Sequence, residues 1–319
     1  MSNEASPFDD FRALLARMPG PDAGAIRARH VRMHAAPAEA TAGLGRLGDL
    51  AGWVAAWQGR PAAVRRPLLA VFAGTHGAAD AQAQAQTAAR VEAIASGAAA
   101  LSGICASVDL GLKVFDLALD VPTGSIAREA ALDARGCAAT MAFGMEALIG
   151  EPDLLCLGAL GVGGEASAAA IAAALFGRPL RDWVGDAAVA GIVEAALACH
   201  AGALADPFEL LSRLGGRETA AIAGAILAAR AARVPVIIDG MAATAAAAIL
   251  QAADPAALDH CLFAHVSAEP GHRRLLEAMN KVPLLALGLG SGEGEGAALA
   301  AGVVKSAIAA EDAATAALA

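Results

Sequence analysis

Short β-branched or leucine-rich runs alternate with long alanine-rich runs along most of the chain, the pattern of repeated parallel βαβ units. The runs that predict strands are Leu68 to Phe72, Lys113 to Leu119, Leu154 to Leu160, Val234 to Asp239, Leu262 to Val266 and Pro283 to Leu289. Six of them suit an α/β fold with one doubly wound, mainly parallel six-stranded sheet. Right-handed crossovers then place helices on both faces, and ligands collect at the carboxyl ends of the strands. Glycine-plus-polar clusters fall at those ends: Gly74 to Gly77, Asp120 to Gly124, Gly161 to Glu165, Asp239-Gly240 and Ser267 to His272. The first sixty residues differ. Helical patterns open at Asp9-Asp10-Phe11 and run from Leu44 to Trp57, with no convincing strand, and the helical run after Ala297 has no following strand. The termini, residues 1–62 and 301–319, are therefore expected to pack together as a small helical subdomain beside an α/β domain spanning 63–300.

Composition adds how the helices pack. Hydrophobic residues make up 57% of the 319, yet alanine dominates, aromatics are 3% and tyrosine is absent. That balance favours high helix content and close helix contacts. A net charge of −9 with no lysine or arginine block makes nucleic acid and anionic membranes poor partners, leaving small molecules as the expected ligands. No apolar run reaches transmembrane length without Gly, Arg or Asp interrupting it, and the Met1-Ser-Asn-Glu start lacks a basic segment followed by a hydrophobic one, so a cytoplasmic protein is expected. Five widely spaced cysteines (105, 137, 156, 199, 261) without a C-x-x-C pair read as buried free thiols. His260, His265 and His272 lack metal-ligand spacing, so no metal and no cofactor is expected.

The densest candidate chemistry lies at Gly288-Leu-Gly290-Ser-Gly292-Glu293-Gly294-Glu295-Gly296, five glycines in nine residues between a strand-like and a helix-like run. Glycine lets backbone approach a ligand closely, and the helix that follows offers unpaired N–H groups. Carboxylates in that place face a cationic or ionisable N–H part of a ligand, or else complement the helix dipole in a solvated loop. His76, at a strand end between glycines, reads as a substrate contact or as a backbone-bonded structural histidine. Asp239 reads as a ribose contact or a helix cap, and Ser267 and Glu269 as nucleotide contacts or a cap. Arg217 and Glu218 are expected to support the fold by pairing with neighbours.

Five blocks, in order, carry a family resemblance: Phe72-Ala-Gly-Thr-His-Gly77, Leu214-Gly-Gly-Arg-Glu-Thr219, Pro235-Val-Ile-Ile-Asp-Gly240, His265-Val-Ser-Ala-Glu-Pro-Gly-His272 and Gly292-Glu-Gly-Glu-Gly-Ala-Ala-Leu-Ala300. From about Val71 to Val304 the chain resembles the nicotinate-nucleotide:dimethylbenzimidazole phosphoribosyltransferases. The resemblance implies a Rossmann-like large domain, a small helical domain from both termini and a homodimer. It implies that an azole base, 5,6-dimethylbenzimidazole or a relative, attacks C1′ of nicotinate mononucleotide while nicotinate leaves. It places the catalytic glutamate, a general base, on Glu293. Substrate contacts are implied at His76, Gln84, Gly161, Gly163, Gly164, Asp239, Gly240, Ser267, Glu269, Gly290, Gly292 and Glu295.

The chain departs from the family pattern at several positions. The family's L-G-E-G-T/S-G has Ser291 for the leucine and Glu295 for the Thr/Ser. Its G-E-M-G-I-G-N-T-T is Gly158-Ala159-Leu160-Gly161-Val162-Gly163-Gly164-Glu165-Ala166, so Ala159 replaces a second glutamate and Glu165 stands where a phosphate is expected. Of P-Q-x-V-T only Gln84 and Thr87 match, in a shortened loop, and a phosphate-side lysine falls on Val189. These changes leave open a second reading, a non-catalytic family member that binds a ligand or partners an active paralogue.

Overall fold

A computed structural model describes residues 6–290 and 292–316, so Ser291 and the extreme termini lie outside the described residues. Four helices come first: α1 (Asp9–Leu15), α2 (Ala23–Ala35), α3 (Ala38–Thr41) and α4 (Arg46–Gln58). β1 (Pro67–Ala73) leads through α5 (Ala81–Ala95) and α6 (Ala100–Ser107) to β2 (Gly111–Asp116), and α7 (Ala134–Gly144) precedes β3 (Leu154–Leu160). Then follow α8 (Gly164–Phe176), α9 (Ala187–Cys199), α10 (Pro207–Leu214) and α11 (Arg217–Ala231) before β4 (Val236–Ile238). Finally come α12 (Gly240–Ala253), β5 (Cys261–Phe263), α13 (His272–Ala278) and α14 (Glu295–Thr315).

The strands form one parallel sheet in the order β2-β1-β3-β4-β5. This is the common doubly wound order 2-1-3-4-5, in which the direction of winding reverses between β1 and β3. Alternate side chains feed two cores. Ala70, Phe72, Leu155 and Leu157 pack under α7, α8, α11 and α12, whereas Leu69, Val71, Leu154 and Cys156 pack under α4, α6 and α14. Burial on both faces explains why these strands read as continuous apolar runs rather than alternating ones.

Among the described residues the sheet has five strands, not six. Residues 283–289 run beside β5, with Leu285 N–H bonded to Ala264 O (2.9 Å) and Val266 N–H to Leu285 O (3.0 Å), but only the His265–Leu285 bridge forms. Pro283 has no N–H to give the ladder and Gly288 sits at φ +69°, so the segment makes no regular strand, although Leu284 N–H reaches Phe263 O (2.9 Å) and Ala268 N–H reaches Leu289 O (2.8 Å). β2 ends at Asp116, short of Leu119, because Ala118 turns into the left-handed region at φ +58°.

Alanine and glycine let helices come close. A Cβ at Gly224 would strike Met141 O of α7, and one at Gly144 would strike Ala221 O of α11, so these two helices touch backbone to backbone. Residues 81–107 are long and apolar enough to cross a membrane by length and composition alone, but Arg90, Gly97 and Gly103 interrupt them, in keeping with the expectation from the sequence. They fold as two helices, α5 and α6, interrupted at 96–99, and carry Arg90 and Glu92. Helix α14 packs on α4, and its Glu311, 1% exposed, binds Arg29 and Arg32 of α2 at 2.6 Å each.

Candidate active site

A cavity of about 450 Å³ opens at the carboxyl ends of the strands, on the β1/β3 reversal. That volume suits a small organic ligand. The turn after β3 (Gly161 to Glu165), Glu269 after β5, and Gly290 and Glu293 of the glycine-rich loop form its walls, with Arg90 from α5 and Glu218 from α11.

The glycine-rich loop lies directly on other backbone. Gly240 and Gly292 have φ +77° and +64°, and a Cβ built on either would fall 2.5 or 2.9 Å from the other's Cα. Gly158 of β3 would strike Glu293 O if it carried a Cβ. Asp239, fully buried, fixes the far end of the loop. One carboxylate oxygen accepts the Gly296 N–H (3.0 Å) at the start of α14, and the other binds His265 Nδ1 (2.6 Å). Burial works against a charged His265, but Asp239 more than offsets it and raises the pKa. The Asp239 side chain makes no cap to α12; its bond to an N–H group is to Gly296 of α14.

The loop thereby holds Glu293 at 8% exposure, facing the cavity. Burial pushes its pKa above the usual carboxylate value, a guanidinium contact from Arg90 Nη2 (2.5 Å) opposes this, and Glu295 adds a smaller upward push. A carboxylate in this state is a better proton acceptor than one free in water.

On the α11 side of the cavity, His76 Nε2 lies 3.1 Å from Glu218 Oε1, both 3% exposed at the side chain. Burial lowers the His76 pKa, but Glu218 outweighs it and the net shift is upward. For Glu218 burial raises and His76 lowers, with a net downward shift. Each partner thus favours the charged form of the other. Glycines make room for it: a Cβ at Gly216 would lie 2.6 Å from His76 Cε1, and one at Gly74 2.5 Å from Glu218 Oε2. Gly164 and Gly161 would meet His76 Nε2 at 3.0 and 3.1 Å.

Along the β5 side, the Ser267 hydroxyl donates to Glu269 Oε2 (2.7 Å), which also accepts the Met241 N–H (3.1 Å). His272 Nδ1 accepts the Ser267 N–H (3.0 Å), so Nε2 carries the proton and donates to Thr244 Oγ1 (3.0 Å). Burial, with His265 nearby, drops the His272 pKa to about 3 and keeps it neutral. Glu269 faces the cavity with a pKa raised by burial.

Of the residues singled out in the sequence, Gly161, Gly164, Glu269, Gly290 and Glu293 line the cavity. His76, Gly163, Asp239, Gly240, Ser267 and Gly292 stand behind that surface and support it, and Glu295 opens α14. Gln84 is half-buried on α5, off the cavity wall. Glu165 does line the cavity, and Ala159 contributes a methyl where the family pattern has a glutamate. Sequence reasoning missed Arg90 and gave Glu218 only its supporting role. Arg90 stands three residues after the matched Thr87, hence on the same helix face, and that spacing was the available signal.

A family model described as phosphoribosyltransferase matches residues 18–319, a longer stretch than the motif blocks span. Nicotinate-nucleotide–dimethylbenzimidazole phosphoribosyltransferases of Rhizobium etli (strain CIAT 652) and Sinorhizobium fredii (strain NBRC 101917 / NGR234) are each 56% identical over 322 aligned positions, covering 97% of this chain and 95% of theirs. The crystal structure of the enzyme of that name from Thermus thermophilus superposes with a TM-score of 0.82 at 30% identity, covering 91% of this chain and 96% of that one.

Proposed function

Because the chain belongs to the nicotinate-nucleotide–dimethylbenzimidazole phosphoribosyltransferase family, we propose that it moves the phosphoribosyl group of nicotinate mononucleotide onto 5,6-dimethylbenzimidazole or a closely related azole. The products are α-ribazole 5′-phosphate and nicotinate. One ring nitrogen of the azole attacks C1′ from the face opposite the pyridinium. The C1′–N bond breaks, its electron pair leaves with nicotinate, and the other ring nitrogen surrenders its proton to Glu293. The observation that carries this reading is the Glu293 carboxylate, 8% exposed, set into the cavity at the β1/β3 reversal with a pKa raised by burial. A buried carboxylate also favours the positive charge that develops at C1′ as the bond breaks.

The site's other groups have roles that fit. Ser267 and Met241 N–H orient Glu269 beside Gly292, and the His76–Glu218 pair supports the cavity from the α11 side. In the same reading the helices of the two termini form a small helical unit, supported by the Glu311 contacts to Arg29 and Arg32. The protein then works in the cytoplasm as a homodimer, and exposed apolar side chains such as Val121, Phe143 and Ile149 provide surface for a second copy to cover. Incubating the protein with nicotinate mononucleotide and dimethylbenzimidazole tests the reaction by release of nicotinate. Failure of the protein to release nicotinate at any azole concentration overturns it.

A further inference from the structure

The charge inside the cavity poses a problem for a phosphorylated substrate. Glu165, Glu218, Glu269 and Glu293 all face it, while Arg90 is the one cationic side chain among the described residues that line it. His76 is already matched by Glu218. The turn after β3 offers less backbone than its glycines suggest, because Val162 N–H is bonded to Thr87 Oγ1 (3.1 Å) and Gly164 N–H to Gly161 O (3.0 Å). A phosphate dianion placed there meets the carboxylate of Glu165, and Val189 leaves no cation at the family's lysine position.

Arg90 is mounted where it can supply the missing charge. Thr87 is fully buried and ties α5 to the turn after β3 through the Val162 bond. One helical step on, Arg90 projects from the same face, its side chain half exposed at 50%, and its Nη2 holds Glu293 Oε2 at 2.5 Å. The glutamate is fixed by a loop pinned on Gly158, Gly240 and Asp239, whereas the arginine has a long stem free on its solvent side. Of the two partners, Arg90 is the more exposed, 50% against 11% at the side chain.

Building on the phosphoribosyl-transfer reading, we propose that Arg90 is an exchange residue. In the free protein its guanidinium occupies Glu293, and when nicotinate mononucleotide enters it transfers to the 5′-phosphate and releases Glu293 to accept the azole proton. Guanidinium pairs with carboxylate and phosphate through the same two-pronged hydrogen bonding, so one charge-assisted contact replaces another of similar strength. Glu293, relieved of its counter-charge inside a buried wall and still near Glu295, then binds a proton more strongly. The device couples base activation to the presence of a phosphate and makes the phosphate a specificity determinant, with Arg90 as the group that reads it.

The test compares two donors, nicotinate mononucleotide and nicotinate riboside, in wild type, Arg90→Gln and Arg90→Lys, with dimethylbenzimidazole as acceptor. Wild type is expected to favour the mononucleotide in kcat/KM. In Arg90→Gln the ratio between donors should shrink by roughly 10- to 100-fold, the worth of a charge-assisted contact, with Arg90→Lys restoring part of it. The acidic limb of the pH profile should move to higher pH in Arg90→Gln. A ratio that is unchanged in Arg90→Gln, or equal losses on both donors, overturns the exchange role while leaving the reaction itself standing. Should wild type turn over neither donor, the reaction fails, and calorimetry decides the phosphate contact separately: Arg90→Gln must then lose the preference for mononucleotide over riboside in binding, and an unaltered preference sinks it.

Discussion

Gly240 and Gly292 face each other across the base of the site with no side chain between them, each at a positive φ that only glycine adopts without strain. The glycines of the loop therefore serve contact between two protein backbones as much as approach to a ligand. Replacing either by alanine should cost about 1–3 kcal/mol through overpacking and positive-φ strain. Activity should fall further than stability, since Glu293 follows Gly292 directly. Thermal denaturation alongside nicotinate release checks this; loss of stability without loss of turnover would show that the loop tolerates being lifted.

Glu293 and Glu295 differ in burial, 8% for the first and half-exposure for the second. Glu293→Gln should reduce turnover by roughly 10²- to 10⁴-fold, as expected for removal of a general base, and Glu295→Gln by less than about tenfold. The sign of the pH effect follows from the upward shift at Glu293. The base must be ionised to act, so kcat/KM should fall on acidification through a pKa above the ordinary 4.5. Equal losses in the two variants would contradict the assignment.

The His76–Glu218 pair should mark the stability of the fold against pH. The raised His76 pKa gives stability that is complete below about 6.5 and is lost as pH rises through the folded-state value. The lowered Glu218 pKa gives stability present above about 4.5 and lost as pH falls through its own folded-state value. Wild-type Tm should therefore be highest between those limits. Glu218→Gln, which strands a buried imidazole, should cost about 3–5 kcal/mol and flatten that profile. Denaturant titrations at three pH values read both effects.

Cysteine chemistry gives a simple check of the packing. Cys105, Cys137 and Cys156 are buried, and burial lifts their thiols to about 11, about 12 and well above the usual value in turn. Cys261 is half-buried and likewise raised, whereas Cys199 is exposed at the end of α9, which corrects the expectation that all five are buried. A thiol reagent near neutral pH should modify one cysteine quickly and the remaining four only on unfolding. Rapid labelling of two or more would show that a core is looser than described.

Legibility from sequence followed the physics of each element. β3 appears at Leu154–Leu160 as expected and β1 extends Leu68 to Phe72 by one residue at each end, because a strand buried on both faces must be apolar throughout. The segment from Pro283 has the same apolar character, and its failure to form a regular strand depends on a missing N–H and on glycine dihedrals that hydropathy does not register. Glu293 stood out because its glycine setting is unusual. Arg90 did not, since a single arginine in an alanine- and glutamine-rich helix looks like a solvated residue until α5 is docked against the turn after β3. Asp239 lay in a recognisable block, but its use to hold both His265 and α14 depends on residues 26 and 57 positions away, beyond any local pattern.

Helix α14 joins the two ends of the molecule mechanically. Its first turn is anchored through Gly296 two residues beyond the loop position of Gly294, and its last turns carry Glu311 into the grip of Arg29 and Arg32. Twenty-one residues make a rod about 30 Å long. A strut held at both ends transmits displacement, so a fusion, truncation or binding event at the terminal helices acts at long range on the reach of Glu293 into the cavity.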